Sequence, residues 1–302
     1  MKKSLSLLRN NDSVMLWFIA IPGILYFIIF KYVPLLGNVI AFQDFNIFQG
    51  IKGSPFVGWK HFSFMFRHEE FMNILKNTVL LSFYQMIIGF PAPLLLALLL
   101  NEIRLSTYKR TIQTLLYLPH FLSWVIVGGI FINILSLDGV VNQLTAMFGI
   151  HAKDFMTDKG FFRSIVVLSG IWKEVGWGMI IYLAAMSNVN PHLYEAAVVD
   201  GAKRWRQMWS ITIPSIAPAI IILFLLRIGN LLDANIEQLL VMLNPLVRSV
   251  GEVIDTYVYR AGLMGGLFSF TTAIGLFKSL IGLVLVISLN QLSKRMTGEG
   301  IY

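Results

Sequence analysis

Long apolar runs separated by shorter polar segments dominate the chain. Six runs are long enough to cross a bilayer, at about residues 14–36, 74–100, 112–137, 161–186, 214–232 and 268–292. A membrane-spanning helix needs about 20 mostly apolar residues, so each run predicts one transmembrane helix. The first run is too long for a signal peptide and contains Pro22 and Pro34, so we expect it to be retained as a span. The pattern predicts an all-α integral membrane protein, with a single transmembrane domain over residues 1–302.

Prolines and polar stretches refine this picture. Pro91 and Pro93 lie inside the second run and predict a kinked helix, because proline cannot donate a backbone hydrogen bond. The segments between alternate spans, 38–73, 138–160 and 233–266, carry glycine and mixed polar residues, and we expect them outside the membrane. Within the last of them, Glu252–Leu263 predicts a short external helix.

Composition supports a membrane protein and excludes several kinds of site. Hydrophobic residues make up 56% of the chain and charged residues 13%, against about 25% charged in soluble domains. The net charge of +8 comes from cations beside the apolar runs, which argues against nucleic acid as a partner. No cysteine is present, and neither a GxxxxGK[ST] phosphate loop nor an HExxH pattern occurs. We therefore expect no metal or ATP bound by this chain and no catalytic residues, and we expect His120, beside Pro119, to be a packing residue.

The distribution of positive charge predicts the orientation. If six spans alternate, four basic clusters fall on one side of the membrane: Lys2, Lys3 and Arg9; Arg104, Lys109 and Arg110; Lys203, Arg204 and Arg206; and Lys294 with Arg295. Basic residues are enriched in cytoplasmic loops. Both termini and the segment 190–214 are therefore predicted to be cytoplasmic, in a multi-pass membrane protein.

The segment 190–214 is neither a membrane span nor a plain loop. Asn190-Pro191 predicts a capped helix start, and Gly201 is suited to the positive φ of a sharp bend. After the bend, Trp205, Met208 and Trp209 fall at i, i+3 and i+4, which predicts an amphipathic helix at the membrane surface. Pro214 then begins the return into the bilayer.

The residues EAA (195–197), DGA (200–202) and IP (213–214) resemble the EAA loop of ABC importer permeases. Met208 and Ile213 stand where Phe and Leu are commoner in that pattern. The resemblance implies a six-span type I importer permease whose cytoplasmic coupling helix docks on an ATP-binding subunit. It assigns that contact to Glu195, Ala196, Ala197, Asp200, Gly201, Ala202 and Pro214.

Charged and aromatic residues inside the fourth and fifth spans indicate where substrate chemistry could lie, because ionisable groups in a membrane are costly. The candidates are Trp172, Lys173, Glu174, Trp177, Arg227 and Asn230. One interpretation is structural, with Glu174 paired to Arg227 or Lys173. The other is a polar cavity in which an indole stacks on a sugar ring and Lys173, Arg227 and Asn230 donate hydrogen bonds. Surplus cations there would favour an acidic sugar.

Further segments narrow the resemblance to the polysaccharide and oligosaccharide permeases of the maltose-type group, over nearly the whole chain. They are Tyr117–Trp124, Val253–Leu263, Phe268–Val286 and the C-terminal GEGIY; Asn235-Ile236 departs from the Gly-Phe expected there. The resemblance implies a second, homologous permease chain, two copies of an ATPase that hold ATP and Mg, and an external solute-binding protein that delivers an oligosaccharide.

Two other classes of function compete with this interpretation. An ion-coupled secondary sugar transporter would need a coupling-ion site, for which Asp233 or Glu174 is a candidate, but the chain shows no convincing inverted repeat. A membrane-embedded enzyme would need paired acidic residues or histidines at a membrane face, and no such constellation is evident in the sequence.

Overall fold

The computed structural model describes the backbone of residues 2–297 and the side chains of residues 15–291, 294 and 295. The C-terminal GEGIY segment, residues 298–302, lies outside this part. The described residues are largely helical, and they contain no strand beyond an isolated antiparallel bridge between Gln43 and Phe56. The predicted all-α class is confirmed.

The chain divides into two compact units. The first takes the residues up to 67 together with 261–276, and the second takes 68–260 and the residues from 277 onward. Helices of the first unit are α1 (Lys2–Phe27), a π-helix (Ile28–Tyr32), α2 (Val33–Leu36), a 3-10 helix (Gly37–Phe42), α3 (Gly50–Gly53) and α4 (Lys60–Arg67). The most apolar stretch within Met15–Phe42 is entirely exposed, as expected of a helix surrounded by lipid.

The second unit holds most of the helices, in the order α5 (Glu69–Tyr84), a π-helix (Gln85–Gly89), α6 (Pro91–Asn101), α7 (Ser106–Tyr117), a 3-10 helix (Leu118–Phe121), α8 (Trp124–Leu135), α9 (Val140–Ala146), α10 (Lys159–Ser187), α11 (Pro191–Val199), α12 (Arg204–Gln207), a π-helix (Met208–Thr212), α13 (Ile213–Ser215), α14 (Ala217–Gly229), α15 (Ile236–Met242), α16 (Arg248–Gly251) and α17 (Ile254–Tyr257). A π-helix (Val258–Met264) and α18 (Phe268–Thr297) complete the chain, each with residues in both units.

Five helices in the described residues are long and apolar enough to cross a bilayer, and a bent pair would make a sixth. That pair joins Arg204–Ser215 to Ala217–Gly229 at an angle of 63°. The predicted third span, 112–137, differs from the structure because its helix is interrupted between Tyr117 and Trp124. Pro119 lies in the 3-10 turn there, Leu122 and Ser123 are extended, and the Ser123 hydroxyl caps the start of α8.

Prolines shape three of the helices in a common way. The π-helices Ile28–Tyr32, Gln85–Gly89 and Met208–Thr212 each end two residues before a proline, at Pro34, Pro91 and Pro214. A proline ring clashes with the carbonyl four residues earlier, which in each case lies inside the π-helix. Widening the turn to an i→i+5 bond, such as Phe90 N–H to Gln85 O at 3.1 Å, relieves the clash and keeps the backbone hydrogen-bonded.

Helix α10 is the most deeply buried span of the second unit, and small residues let its neighbours approach it closely. A Cβ atom at Gly176 would overlap the carbonyl oxygen of Leu116 on α7, and one at Gly178 would lie 3.0 Å from Pro93 Cγ on α6. Ser169 of α10 also accepts a hydrogen bond from buried Gln238 of α15, at 2.9 Å. Helix α10 therefore connects the helices that carry the polar residues described below.

The close contact at Gly176 predicts a sensitive position. Gly176→Ala should destabilise the fold by about 1–3 kcal/mol, because the added methyl group meets rigid backbone. The measurement is the midpoint of thermal unfolding of the purified protein in detergent. The matched control is Gly129→Ala in α8, where a Cβ would meet open space. Equal midpoints for the two variants would contradict the packing described here.

Candidate functional site

Helix α11 is a short helix with well-defined ends. Asn190 accepts a hydrogen bond from the His192 N–H at 3.0 Å, and Pro191 occupies the first helical position, as the sequence predicts. At the other end, Ala202 N–H donates to Ala197 O at 2.8 Å and Gly201 N–H donates to Val198 O at 3.0 Å. These two bonds form a Schellman motif, which requires a residue with positive φ. Gly201 supplies it, with φ of 74°.

Two side-chain hydrogen bonds fix α11 to the segment that follows it. The Tyr194 hydroxyl lies 3.0 Å from the Thr212 hydroxyl, and Gln207 Nε2 donates to Ala202 O at 2.7 Å. The sequence analysis did not select Tyr194, Thr212 or Gln207, because isolated polar side chains in a polar loop carry no distinguishing pattern. Through them, α11 is joined to the helix pair that leads into α14.

The predicted coupling residues lie mostly on the exposed part of α11 and its turn. Glu195 is exposed and pairs with His192 at 2.9 Å, and Ala196, Asp200 and Gly201 are exposed beside it. Ala197 and Ala202 are partly buried, and Pro214 lies in α13. The exposed set also includes apolar residues that the sequence analysis did not select, Leu193, Val198 and Val199.

The predicted amphipathic face after the bend differs from the structure. Trp205 and Trp209 are exposed and lie 6.0 Å apart, edge to face, as expected for a membrane surface. Met208 instead is buried in the hydrophobic cluster that includes Ala97, Met179 and Ile216. Met208 begins the π-helix and is buried, so it does not share an exposed face with the two tryptophans.

A cavity of about 610 Å³ lies within the second unit, among α6, α10, α14 and α15. Its size is within the usual range for small-molecule sites. Four of the six residues predicted for substrate binding line it: Glu174, Trp177, Arg227 and Asn230. The lining also includes the polar residues Gln85, Asp233, Asn235 and Gln238, of which the sequence analysis considered only Asp233, as a coupling-ion candidate.

Lys173 does not line the cavity, in contrast to the prediction. The residue is only 5% exposed, and its ammonium donates to the carbonyl oxygens of His120 at 2.6 Å and Leu122 at 2.8 Å, with Pro119 O at 3.5 Å. The helix break between α7 and α8 frees these carbonyls. Burying them without donors would be costly, so the lysine stabilises the break.

Trp172 also lies outside the cavity lining. Its indole packs edge to face on Phe131 of α8, with 5.8 Å between ring centroids. On α10, Trp172 is five positions before Trp177, so the two indoles project from different sides of the helix. The roles of Trp172 and Lys173 in this structure are packing between α10 and α8 and stabilisation of the break.

The charged residues that line the cavity differ in their partners. Glu174 lies 2.8 Å from Nδ1 of His120 and 3.7 Å from the Lys173 ammonium. Asp233 lies 2.6 Å from the ammonium of Lys278, a mostly buried residue of α18 that also contacts Asp255. The Arg227 guanidinium instead donates to a neutral group, the amide oxygen of Gln85, at 3.0 Å. Each lining carboxylate thus has a basic neighbour, although Lys278 is shared with Asp255. Arg227 makes its hydrogen bond to a neutral amide, and Glu174 acts on its charge electrostatically.

The partners of the charged cavity residues include three that were not predicted as site residues: Gln85, His120 and Lys278. Gln85 and Lys278 are polar residues inside apolar runs, so the rule that singled out Arg227 could have found them. His120 was interpreted as a packing residue, and its pairing with Glu174 depends on the helix break, which the sequence did not reveal.

The fold and the site define a membrane permease: apolar helices, a polar cavity inside one helical unit, and an exposed helix on the chain between two spans. The chain belongs to the family described as binding-protein-dependent transport system inner membrane component, whose model matches residues 71–298. The resemblance to importer permeases is thereby confirmed. Its relatives are permease subunits and not enzymes.

Individual relatives agree with this assignment. The chain is 47% identical to the polygalacturonan/rhamnogalacturonan transport system permease protein YteP of Bacillus subtilis (strain 168), over all of this chain and 94% of YteP. A chain in the crystal structure of a bacterial alginate ABC transporter, in complex with an alginate pentasaccharide-bound periplasmic protein, has a TM-score of 0.90 and 39% identity, over 96% of this chain and 98% of that one. A second structure, of a bacterial ABC transporter involved in the import of the acidic polysaccharide alginate, has the same TM-score and identity, over 97% and 99%.

The role of Lys173 at the helix break can be tested by removing its charge. Lys173→Met keeps the length of the side chain but leaves buried carbonyl oxygens without a donor, which costs about 1–3 kcal/mol. We expect a lower midpoint of thermal unfolding in detergent. The control is Lys159→Met, at the exposed start of the same helix, which should leave the midpoint nearly unchanged. A normal midpoint for Lys173→Met would show that the ammonium does not stabilise the break.

Proposed function

We propose that this chain is the permease subunit of an ATP-driven, binding-protein-dependent importer that moves an acidic oligosaccharide across the cytoplasmic membrane by alternating access. The observation that carries this proposal is the placement of Arg227 in the cavity wall, where its guanidinium donates a hydrogen bond to the uncharged amide of Gln85. Glu174 and Asp233, which also line the cavity, each have a basic side chain beside them. A guanidinium placed in this way can bind a carboxylate group of a sugar.

The remaining lining residues suit a sugar. Trp177 offers an indole surface, and sugar rings have apolar faces that stack on aromatic groups. Asn230 and Gln85 place amide groups around the same cavity, where they can hydrogen-bond hydroxyl groups. The printed substrates of the relatives agree, since YteP is named for polygalacturonan and rhamnogalacturonan and the structural neighbours for alginate, an acidic polysaccharide.

The proposed importer contains more than this chain. One coupling helix engages one ATPase, so a second, homologous permease and two ATPase copies are required, and ATP and Mg are bound by those ATPases. A solute-binding protein delivers the sugar to the external side. Both termini and α11 lie on the cytoplasmic side, in agreement with the positive charge of the segments there.

Movement of α11 has a direct structural route to the cavity. The bonds from Tyr194 to Thr212 and from Gln207 to Ala202 join α11 to the segment 204–215. That segment continues, through the 63° bend, into α14, which carries Arg227 and is followed directly by Asn230. Closure of the ATPase dimer would therefore shift α11 and the cavity wall together, as a rigid-body transition.

Replacing the arginine charge should weaken import of acidic sugars specifically. For Arg227→Gln, we expect the apparent KM for oligogalacturonate to rise roughly tenfold or more, because a charge-assisted hydrogen bond is lost. The measurement is uptake into proteoliposomes that contain the complete complex, with ATP inside and binding protein outside. Arg295→Gln, at the exposed end of α18, serves as the matched control and should behave like the wild type.

The same vesicles separate the two classes of transporter. Uptake that follows an imposed proton or sodium gradient without ATP would reject the ABC mechanism in favour of an ion-coupled carrier. An ATP-dependent uptake in which Arg227→Gln affects oligogalacturonate no more than its methyl ester would retain the importer and reject the role of the arginine in charge recognition.

The turn after α11 gives a test of coupling. A Cβ at Gly201 would meet open space, so only its positive φ restricts the residue. Gly201→Val should disrupt the Schellman motif, at a cost of about 1–3 kcal/mol, and reduce sugar uptake more than ATP hydrolysis. Gly201→Asn should retain most of the coupling, since asparagine tolerates this backbone conformation. The readout is the ratio of sugar transported to ATP hydrolysed; equal ratios in the two variants would argue against a role of this turn.

A further inference from the structure

The side chain and backbone of His120 are held by three residues of a single helix. His120 lies in the 3-10 turn between α7 and α8, and α10 supplies Lys173, Glu174 and Trp177 around it. The ammonium of Lys173 holds the His120 carbonyl at 2.6 Å, so the backbone position is fixed. The imidazole then makes two further contacts, one with each of the cavity-lining residues Glu174 and Trp177.

The first contact is a hydrogen bond with a carboxylate. His120 Nδ1 lies 2.8 Å from Glu174 Oε2, and an ionised carboxylate has no proton to give, so the imidazole N–H donates. Lys173 lies 3.7 Å from the other oxygen, but its shortest bonds go to backbone carbonyls. The imidazole therefore provides the short contact that fixes the orientation of Glu174 at the cavity wall.

The second contact is a parallel ring stack. The imidazole and the indole of Trp177 have centroids 4.6 Å apart and planes inclined by only 4°, and Phe121 adds an edge contact at 6.3 Å. One face of the indole is thus covered, while about half of the Trp177 side chain remains exposed and lines the cavity. A ring supported on one face is a rigid platform for a ligand on its free surface.

We propose that His120 is a specificity-determining residue of the sugar cavity, which supports Trp177 as a stacking platform and restrains Glu174 so that its charge does not repel an acidic sugar. This inference rests on the proposed function. His120 acts through two groups, Trp177 and Glu174. Without the imidazole, Glu174 keeps its charge, loses its short hydrogen bond and is free to turn towards the ligand. Acidic ligands would then bind more weakly than neutral ones of the same shape.

The test uses variants that keep the ring but remove the hydrogen bond. His120→Phe retains an aromatic group beside Trp177 and leaves Glu174 without the imidazole. In proteoliposomes with the complete complex, we expect the apparent KM for oligogalacturonate to rise roughly tenfold. The KM for the methyl-esterified oligosaccharide, which has the same rings without charge, should change by less than about twofold. The binding protein is the same in every sample, so its preference cancels in the ratio.

Removing the charge of Glu174 provides the decisive control. In the double variant His120→Phe/Glu174→Gln, the ratio of the two KM values should return towards the wild-type ratio, which a purely structural role of His120 would not produce. If His120→Phe does not fold, Glu174→Asp removes the same contact by shortening the carboxylate side chain. This variant should also raise the ratio of the KM for oligogalacturonate to the KM for its methyl ester.

The outcomes are distinguishable. A KM that rises equally for both sugars, or a double variant that is not rescued, overturns the inference and leaves the proposed function intact. A wild-type complex that imports neither form overturns the proposed function and the inference with it. A raised ratio that Glu174→Gln restores establishes His120 as a determinant of charge specificity.

Discussion

The buried ammonium of Lys173 supports the interrupted helix on which the site is built. A break between α7 and α8 frees backbone carbonyls within an apolar stretch, and such groups need donors. The ammonium of Lys173, on α10, donates hydrogen bonds to the carbonyl oxygens of His120 and Leu122. This contact places His120 against Glu174 and Trp177, so the geometry of one cavity wall depends on a residue that does not line the cavity itself.

Prolines supply a second constraint, which acts on the shapes of the spans. A proline inside a helix removes one hydrogen bond and displaces the preceding turn. The chain accommodates Pro34, Pro91 and Pro214 with π-helical turns. These turns reorient the residues after them without exposing backbone groups. Met208, the first residue of the last of these three π-helices, is buried in the core, while the neighbouring tryptophans are exposed.

The charge pairs of the second unit connect packing to selectivity. Lys278 and His120 come from outside the cavity lining, yet they pair with Asp233 and Glu174, the carboxylates that line it. Arg227 also lines the cavity, and its hydrogen bond goes to the neutral amide of Gln85. In the proposed importer, selection of an acidic sugar would depend on this guanidinium together with the groups that pair with Glu174 and Asp233, which come from several helices.

The sequence by itself determined the features that depend on neighbours along the chain. Apolar runs predicted the helical class, Asn190 and Gly201 predicted the ends of α11, and the cost of burying charge singled out Glu174 and Arg227. The break between α7 and α8 and the buried role of Lys173 were decided only by tertiary structure. So were the partners of Asp233 and Glu174, since each pair joins residues at least 45 positions apart. Periodicity identifies a polar residue within a span, but only packing decides whether that residue faces a ligand or satisfies another helix.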